Sequence, residues 1–583
     1  MNQNKLTITT ERIDDIVLLL EVMKQMGLPE IVDQQLGRHW AQQGLSWGWT
    51  VAIWLAHVVS QGDHRKVTVR EWVGQVQTTL GQVTGQTIQE TDFTDDRLGL
   101  VLKHLSNQGK WEQLEQSLGQ RLVRVYQLKG STVRVDATTV SGYHEGSADS
   151  LWQYGHSKDD PSLKQVKAMM ATLDPMGLPL AVDVVSGECA DDPLYVPIIK
   201  RVLACLGELG LLFVGDSKMS ALATRAYVQH KQQTYLVPLA MVGDTASDLS
   251  EWLSRAPQKL TEVYDTTGTL IATGYELSRQ CSAEVDEQPV NWTERVLVVH
   301  SEAHAETLNR QLAERLKAAQ TALFALTPAR GRGKRQFTDQ AELMTAATAV
   351  LKRYQVNGLL DFTFEQQIET SSHAIGRGRG AANRPQQVVE RVRFQMTAVT
   401  PNEPALTKLR QSLGWRPFVT TAALGHLPFA DAVRLYRQEF SIERGFARLK
   451  GAPLSIAPVF VKRDDQILGL TRLLSLALRL LTLIEFVVRR ALHDSQQQLL
   501  GLHLENPRKA TVTPTTERLL RAFDNITLTI PLFISLTASS STFHRSHPYK
   551  PAFLPCWDCQ LMFISLWLAK FLFLPFYLAN REN

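Results

Sequence analysis

The chain has 583 residues, with 62 Lys and Arg against 58 Asp and Glu and a formal net charge of +4. That is room for roughly three or four domains and a large core. The near balance of charge excludes a protein that holds nucleic acid by a global excess of positive charge, so any polyanion must be met by local basic patches. Cys189, Cys205, Cys281, Cys556 and Cys559 are too few and too scattered for a disulfide framework and fit a reducing cytoplasm.

Residues 1–130 read as a helical region. Its first residues, MNQNKLTITTERIDD, have no apolar signal core. Asp14–Gly27 has helical spacing and a terminal Gly. Trp47–Ser60 sets Trp47, Val51, Trp54 and Val58 on one face, and Asp95–Leu105 and Lys110–Leu128 are further helices. Little here favours strands. His64, Arg65, Lys66 and Arg70 form a small basic cluster that suits DNA phosphates or, equally, a solvated surface.

Residues 131–240 change character. Ser131–Val140 is short and β-branched, a buried strand ending near Asp136. Lys167–Leu173 and Pro179–Val185 flank the turn sequence Asp174-Pro-Met-Gly177 and form a hairpin. A helix at Asp192–Leu206, an apolar strand ending at Asp216, a helix at Ala221–His230 and a strand at Thr234–Pro238 follow. The fold class is α/β, with Asp136 and Asp216 at or just beyond strand C-termini, where such sheets keep their sites.

Residues 241–425 read as a β-rich insertion. Strands are expected at Leu270–Tyr275, Val296–Val299, Leu360–Glu365 and Val389–Thr397, with a helix at His304–Gln320. Two Gly-Arg segments stand out, one with Arg332 and Arg335, the other with Arg377 and Arg379. Gly lets a backbone approach phosphates and Arg neutralises them. Trp415 lies in GWRPFVTT, a strand.

Residues 426–495 open with LYRQEFSIERGFARLK, read as one helix over Leu435–Lys450. Leu435, Ile442, Phe446 and Leu449 form its apolar stripe, and Tyr436, Glu443 and Lys450 share an adjacent face. A carboxylate held between a phenol and an ammonium suits a metal beside a polyanion. Asp464–Arg490 is a long apolar helix whose Arg472, Arg479 and Glu485 mark it as core rather than membrane. Residues 496–583 are the C-terminal tail. Its end, with the apolar Leu561–Ala579 and a lone Cys556–Cys559 pair, lacks clean periodicity and reads as aberrant, as if out of frame.

Asp136, Asp216 80 residues on and Glu443 a further 227 on resemble the Asp-Asp-Glu (DDE) triad of bacterial insertion-sequence transposases. The stretches VDATTVSGY, GHSKDDPSLKQVKAMM and VGDSKMSALATRAY look like the insertion sequence 1634-like branch. Its Glu helix carries a Tyr-x2-Arg-x3-Glu-x6-Lys signature. Tyr436, Glu443 and Lys450 fill three of its places; the Arg place holds Glu439, with Arg437 two residues earlier. The resemblance spans roughly residues 10–490 and implies an RNase H-like core shared by 131–240 and 426–495, with a helical N-terminal region, a β-rich insertion and a helical C-terminal part.

The same resemblance implies an enzyme that cuts transposon ends and joins them to target DNA. Asp136, Asp216 and Glu443 would hold two Mg²⁺, with Mn²⁺ as a substitute and Asp136 between both. Tyr436 and Lys450 would hold phosphates, Arg437 or Arg444 would replace the missing Arg, and Trp415 would stack on a flipped base. The Gly-Arg segments would line the DNA path. A homodimer in a synaptic complex, cytoplasmic and nucleoid-associated, with no membrane, completes the expectation. Its rivals are an inactive DNA-binding remnant, suggested by Glu439 and the odd tail, an RNase H-like nuclease without strand transfer, and a membrane-attached protein, suggested only by Leu561–Ala579. If Glu439 faces the phosphate track, Glu439→Arg should tighten DNA binding.

Overall fold

Short apolar segments that are buried almost continuously build one large mixed sheet in this computed structural model. The structure describes residues 6–37, 44–145, 147, 149–156, 160–207, 210–329, 331, 334, 336–375, 386–533 and 542–545. The strands of the sheet are β1 (Thr132–Gly142), β2 (Lys164–Leu173), β3 (Leu178–Ser186), β4 (Leu212–Gly215), β5 (Thr234–Pro238), β6 (Thr261–Tyr264), β7 (Leu270–Val285), β8 (Gln288–His300) and β9 (Trp415–Thr420). Their spatial order is β3-β2-β1-β4-β5-β9-β8-β7-β6. β1, β4 and β5 run parallel, and the remaining pairs are antiparallel. Helices α1 (Tyr195–Leu206) and α2 (Leu222–His230) make the crossovers around β4, while α3 (Phe429–Tyr436), α4 (Phe440–Lys450) and α5 (Asp464–Ser495) follow β9.

The strands expected near residue 270 and at 296–299 are therefore not a separate module. β7 and β8 continue the core sheet, because β9 returns after the excursion and pairs with β5 on one side and β8 on the other. What stands apart is the two-stranded ribbon Leu360–Ala374 with Gln386–Pro401. It packs through Met396 and Val399 on Leu323 and Leu343 of the helices Glu302–Leu326 and Gln340–Arg353. The second of those helices was not expected.

The N-terminal helices form nearly as expected, at Ile16–Met26, Trp47–Gln61, Asp95–Ser106 and Gln108–Tyr126. The first stops at Gly27 in the left-handed region, φ 69°, where Gly carries no Cβ penalty. One strand was missed: Leu6–Arg12 pairs antiparallel with Ile526–Phe533 from the far end of the chain. The basic cluster after the second of those helices is neutralised by its surroundings. Arg65 pairs with Asp63 at 2.9 Å and Lys66 with Asp95 at 2.9 Å, Arg70 lies 3.6 Å from Glu90, and His64 is buried.

Helix α5 joins the two layers. Its most apolar window is 94% buried. Among the described residues it is the one helix long and apolar enough to cross a membrane, yet the protein's own core covers it. Its buried charges all have partners, as burial demands. Arg472 donates to the carbonyls of Leu105 and Ser106, both at 2.9 Å. Arg479 meets Glu115 at 2.6 Å and the carbonyl of Pro179 at 2.9 Å, tying a front helix to β3. A Cβ at Gly469 would fall 2.2 Å from the carbonyl oxygen of Leu102, so this helix crossing requires Gly. Leu561–Ala579 and the Cys556–Cys559 pair lie outside the described residues.

Candidate active site

Two of the expected carboxylates are brought together by strand register. The last parallel partners of β1 and β4 are Val135 and Gly215. One residue further along each strand stand Asp136 and Asp216, on neighbouring chains spaced about 4.8 Å apart. Asp136 is not at a strand end as expected. β1 runs on to Gly142 because its antiparallel partner β2 is long enough to keep pairing with it. What ends at Asp136 is the parallel ladder, and this leaves that residue beside the open end of β4.

Asp216 is held in one rotation. Its Oδ1 accepts from the Tyr195 hydroxyl at 2.6 Å and from the Lys218 N–H at 2.9 Å. Tyr195 is 1% exposed. Burial first, then the negative Asp216 and its hydrogen bond, raise the phenol far above its ordinary value, so it stays a donor. Asp136 acts on the same phenol through its charge. Tyr195 was not singled out from sequence: a Tyr opening an apolar helix looks like core, and only the fold aims its hydroxyl at Asp216.

The expected helix over Leu435–Lys450 is two helices. α3 ends at Tyr436 and α4 starts at Phe440, with a tight turn between them. The cause lies under the turn. The buried Arg134 guanidinium donates to the Leu435 carbonyl at 2.7 Å, and the Gln438 N–H takes the same carbonyl at 3.1 Å. Arg134 also pairs with Asp174 at 2.6 Å, and Asp174 accepts from the Ser441 hydroxyl at 3.0 Å. One hydrogen-bonded set thus clamps both sides of the break to β1 and to the turn after β2. That turn comes so close that a Cβ at Gly177, φ 71°, would sit 2.9 Å from the Ser441 carbonyl oxygen. The expected stripe is split accordingly. Leu435 packs with the cluster around Val433 and Phe429, and Ile442, Phe446 and Leu449 pack with the main core.

Glu443 is exposed on the first turn of α4, and Lys450, half-buried, ends that helix. Tyr436 packs edge-on to Phe418 at 4.7 Å, with the Glu439 carboxyl close enough to act on its phenol. Burial first, and the neighbouring Glu443 as well, raise the Glu439 carboxyl. The neighbouring Tyr436 phenol, Arg134 and Arg416 oppose that rise. Burial and Glu439 push the Tyr436 phenol well up, and the charge of Asp216 adds to the shift. Asp136, Tyr195, Asp216, Tyr436, Glu439 and Glu443 are therefore electrostatic neighbours in series.

Other expected contacts are turned elsewhere. Arg437 donates to the Ile271 carbonyl at 2.9 Å and to the Ser301 hydroxyl at 3.2 Å. Arg444 pairs with Glu485 of α5 at 2.8 Å. Trp415 packs its ring against His300, 5.0 Å away, and Tyr275, 6.3 Å away. Side chains alternate along a strand, and Trp415 packs with the main core while Phe418 and Tyr436 belong to the other face. Trp415 is therefore on the side of the sheet opposite Tyr436. Arg332, Arg335, Arg377 and Arg379 lie outside the described residues.

Among the described residues no three His, Cys, Asp or Glu side chains are close enough to share one ion. The donor chemistry nevertheless suits a hard divalent cation. Mg²⁺ takes one or two carboxylates and keeps water and substrate oxygens for the rest, and the side-by-side Asp136 and Asp216 meet that need. Among the described residues Asp216 Oδ2 accepts no hydrogen bond, and so it remains open to a ligand.

A family model described as transposase DDE domain matches residues 127–478, more than half of the chain. No curated protein matches it. Among solved structures, a cryo-EM structure of the piggyBac transposase synaptic complex with hairpin DNA covers 89% of this chain and 82% of its own. Its identity is 7% and its TM-score 0.33, too slight a likeness to bear on the chemistry.

Proposed function

Because the chain belongs to the transposase DDE-domain family, we propose that it cuts DNA at transposon ends and transfers the freed 3′ end to target DNA, with Asp136, Asp216 and Glu443 as its catalytic carboxylates. The observation that carries this reading is the register that sets Asp136 beside Asp216 on parallel strands, with α3 packed on β5, β6 and β7 and α4 packed on β1. The strand order β3-β2-β1-β4-β5 supports an RNase H-like core. The Tyr436, Glu443 and Lys450 spacing supports the insertion sequence 1634-like branch.

Two Mg²⁺, or Mn²⁺ in their place, would supply charge relief at the phosphorus centre and a more acidic attacking water. Asp136, Asp216 and Glu443 would be the carboxylates that hold them. Tyr195 fixes the rotation of Asp216 by occupying Oδ1. The Arg134–Asp174–Ser441 clamp sets where α4 begins, and with it the position of Glu443. Lys450, one face along, would meet substrate phosphate. The same reading makes the protein cytoplasmic and nucleoid-associated, acting as a homodimer on two DNA ends.

The test is an incubation of the full-length protein, Mg²⁺ and the DNA flanking its own gene. Joined product supports the transposase, cut product alone a nuclease, and a shifted but intact band a binding remnant. Asp136→Asn, Asp216→Asn and Glu443→Gln should each lose at least about a hundredfold in cutting while keeping the fold, because each removes ligand charge at nearly constant volume. Near-normal cutting by any one of them removes that residue from the site.

A further inference from the structure

A phosphate brought beside three carboxylates needs a cation, and the signature position holds Glu439 instead. The two nearest substitutes in sequence are committed elsewhere: Arg437 to Ile271 and Ser301, Arg444 to Glu485. β9 supplies another. Phe418 of β9 pairs with Pro238 of β5, and Leu236 of β5 pairs with Val214 of β4. Carrying that register forward sets Phe418 level with Asp216. Arg416, two residues before Phe418, shares its face of the sheet by alternation.

The side chain bears this out. The guanidinium carbon of Arg416 lies 5.7 Å from the Phe418 ring centre and 5.9 Å from that of Tyr436. Among the described residues it makes no ion pair or hydrogen bond, so its N–H groups remain for a ligand. Glu439 and Tyr436 both feel its charge. A guanidinium held near aromatic rings by cation–π attraction spends no N–H on them, so its donors stay available for the bidentate hold that phosphate oxygens accept.

We propose that Arg416 is the phosphate-binding cation of this site, gripping a DNA phosphate next to Asp216 and Glu443 in place of the signature arginine. Glu439 is then the counter-charge that keeps Arg416 over Tyr436, rather than a group that only repels DNA. Under this assignment Glu439→Arg sets two cations against each other and weakens DNA binding, the reverse of the expectation from sequence. The proposal rests on the reading of the chain as a DNA-cleaving transposase.

The experiment uses full-length protein and a duplex carrying the flanking DNA of its gene. Binding is titrated at several salt concentrations without divalent metal, and cutting is then followed with Mg²⁺. Arg416→Gln should weaken binding about tenfold and lower the slope of log affinity against log salt by about one, as loss of one phosphate contact requires. Arg416→Lys should restore the slope, since it keeps the charge. A slope that stays low in Arg416→Lys, or is unchanged in Arg416→Gln while wild type binds, overturns the proposal alone. Wild-type protein that neither binds nor cuts the duplex overturns the enzymatic reading, and the proposal with it.

Discussion

Tyr195→Phe isolates the contribution of one hydroxyl. The ring is 1% exposed and Phe fills the same space, so no cavity opens. The substitution removes the 2.6 Å bond to Asp216 Oδ1 and spares the bond from the Lys218 N–H. A hydrogen bond to an ionised acceptor contributes about 1.5–3 kcal/mol. Asp216 is half-buried and water replaces part of that, so stability should fall by no more than about 1.5 kcal/mol. The larger effect is on orientation. Supports of this kind, when lost, cost about 10–100-fold in metal affinity or activity. Cutting rate measured against Mg²⁺ concentration should therefore show a midpoint raised at least about tenfold, with much of the rate returning at saturating ion. Because burial and Asp216 hold the phenol far above its ordinary value, the ratio of mutant to wild type should be constant through the neutral range. Superimposable Mg²⁺ curves would refute the argument, since Asp216 would then keep its rotation unaided.

Other outcomes follow from features away from the carboxylates. Asp174→Asn strips the buried Arg134 of its charge partner and should cost about 3 kcal/mol or more in urea unfolding; a loss below about 1 kcal/mol would show that the clamp is dispensable. Burial raises the Asp15 carboxyl to about 6. Its folded value lies above its unfolded one, so the stability it contributes is present at pH 4 and lost as pH rises through 6. Asp15→Asn should thus gain about 2–3 kcal/mol over wild type at pH 7.5 and almost nothing at pH 4, by thermal unfolding at the two values. Two truncations test the pairing of the chain's two ends. A chain ending at residue 545 keeps the strand Ile526–Phe533 that pairs with Leu6–Arg12, whereas one ending at 525 strips Leu528 from Ile13 and should lose about 1–3 kcal/mol. Equal thermal midpoints for the two truncations would show that this pairing contributes nothing.

Where a residue's role is local, the sequence disclosed it. Ser131–Val140 and Leu211–Asp216 are β-branched or apolar runs with a carboxylate at a defined place, and both strands formed almost where expected. The Asp174–Gly177 turn and the core helix with its three buried charges were equally plain, because turn chemistry and burial leave marks within a few residues. Three features were not readable. The break after Tyr436 depends on Arg134, some 300 residues earlier in the chain, competing for a carbonyl. Whether Trp415 or Arg416 shares a face with Tyr436 is set by the pairing of β9 with β5 and β8, not by β9 itself. Tyr195 looks like any core aromatic until a helix and a strand converge. Each is a consequence of non-local pairing, for which a single sequence carries no periodic signal.

The position of β9 also governs the order of assembly. Six residues, Trp415–Thr420, zip two half-sheets together, and they are synthesised after both halves. β7 and β8 form a hairpin by neighbouring contacts, and β1 to β5 form theirs, but neither half has a partner edge until residue 420 has emerged. Closing so long a loop is slow compared with forming the local hairpins. Until then β5 and β8 each present an open edge, and open edges invite pairing with other chains. A nascent chain halted before residue 415 thus carries two unpaired sheet edges at once and is a form of this protein prone to aggregation.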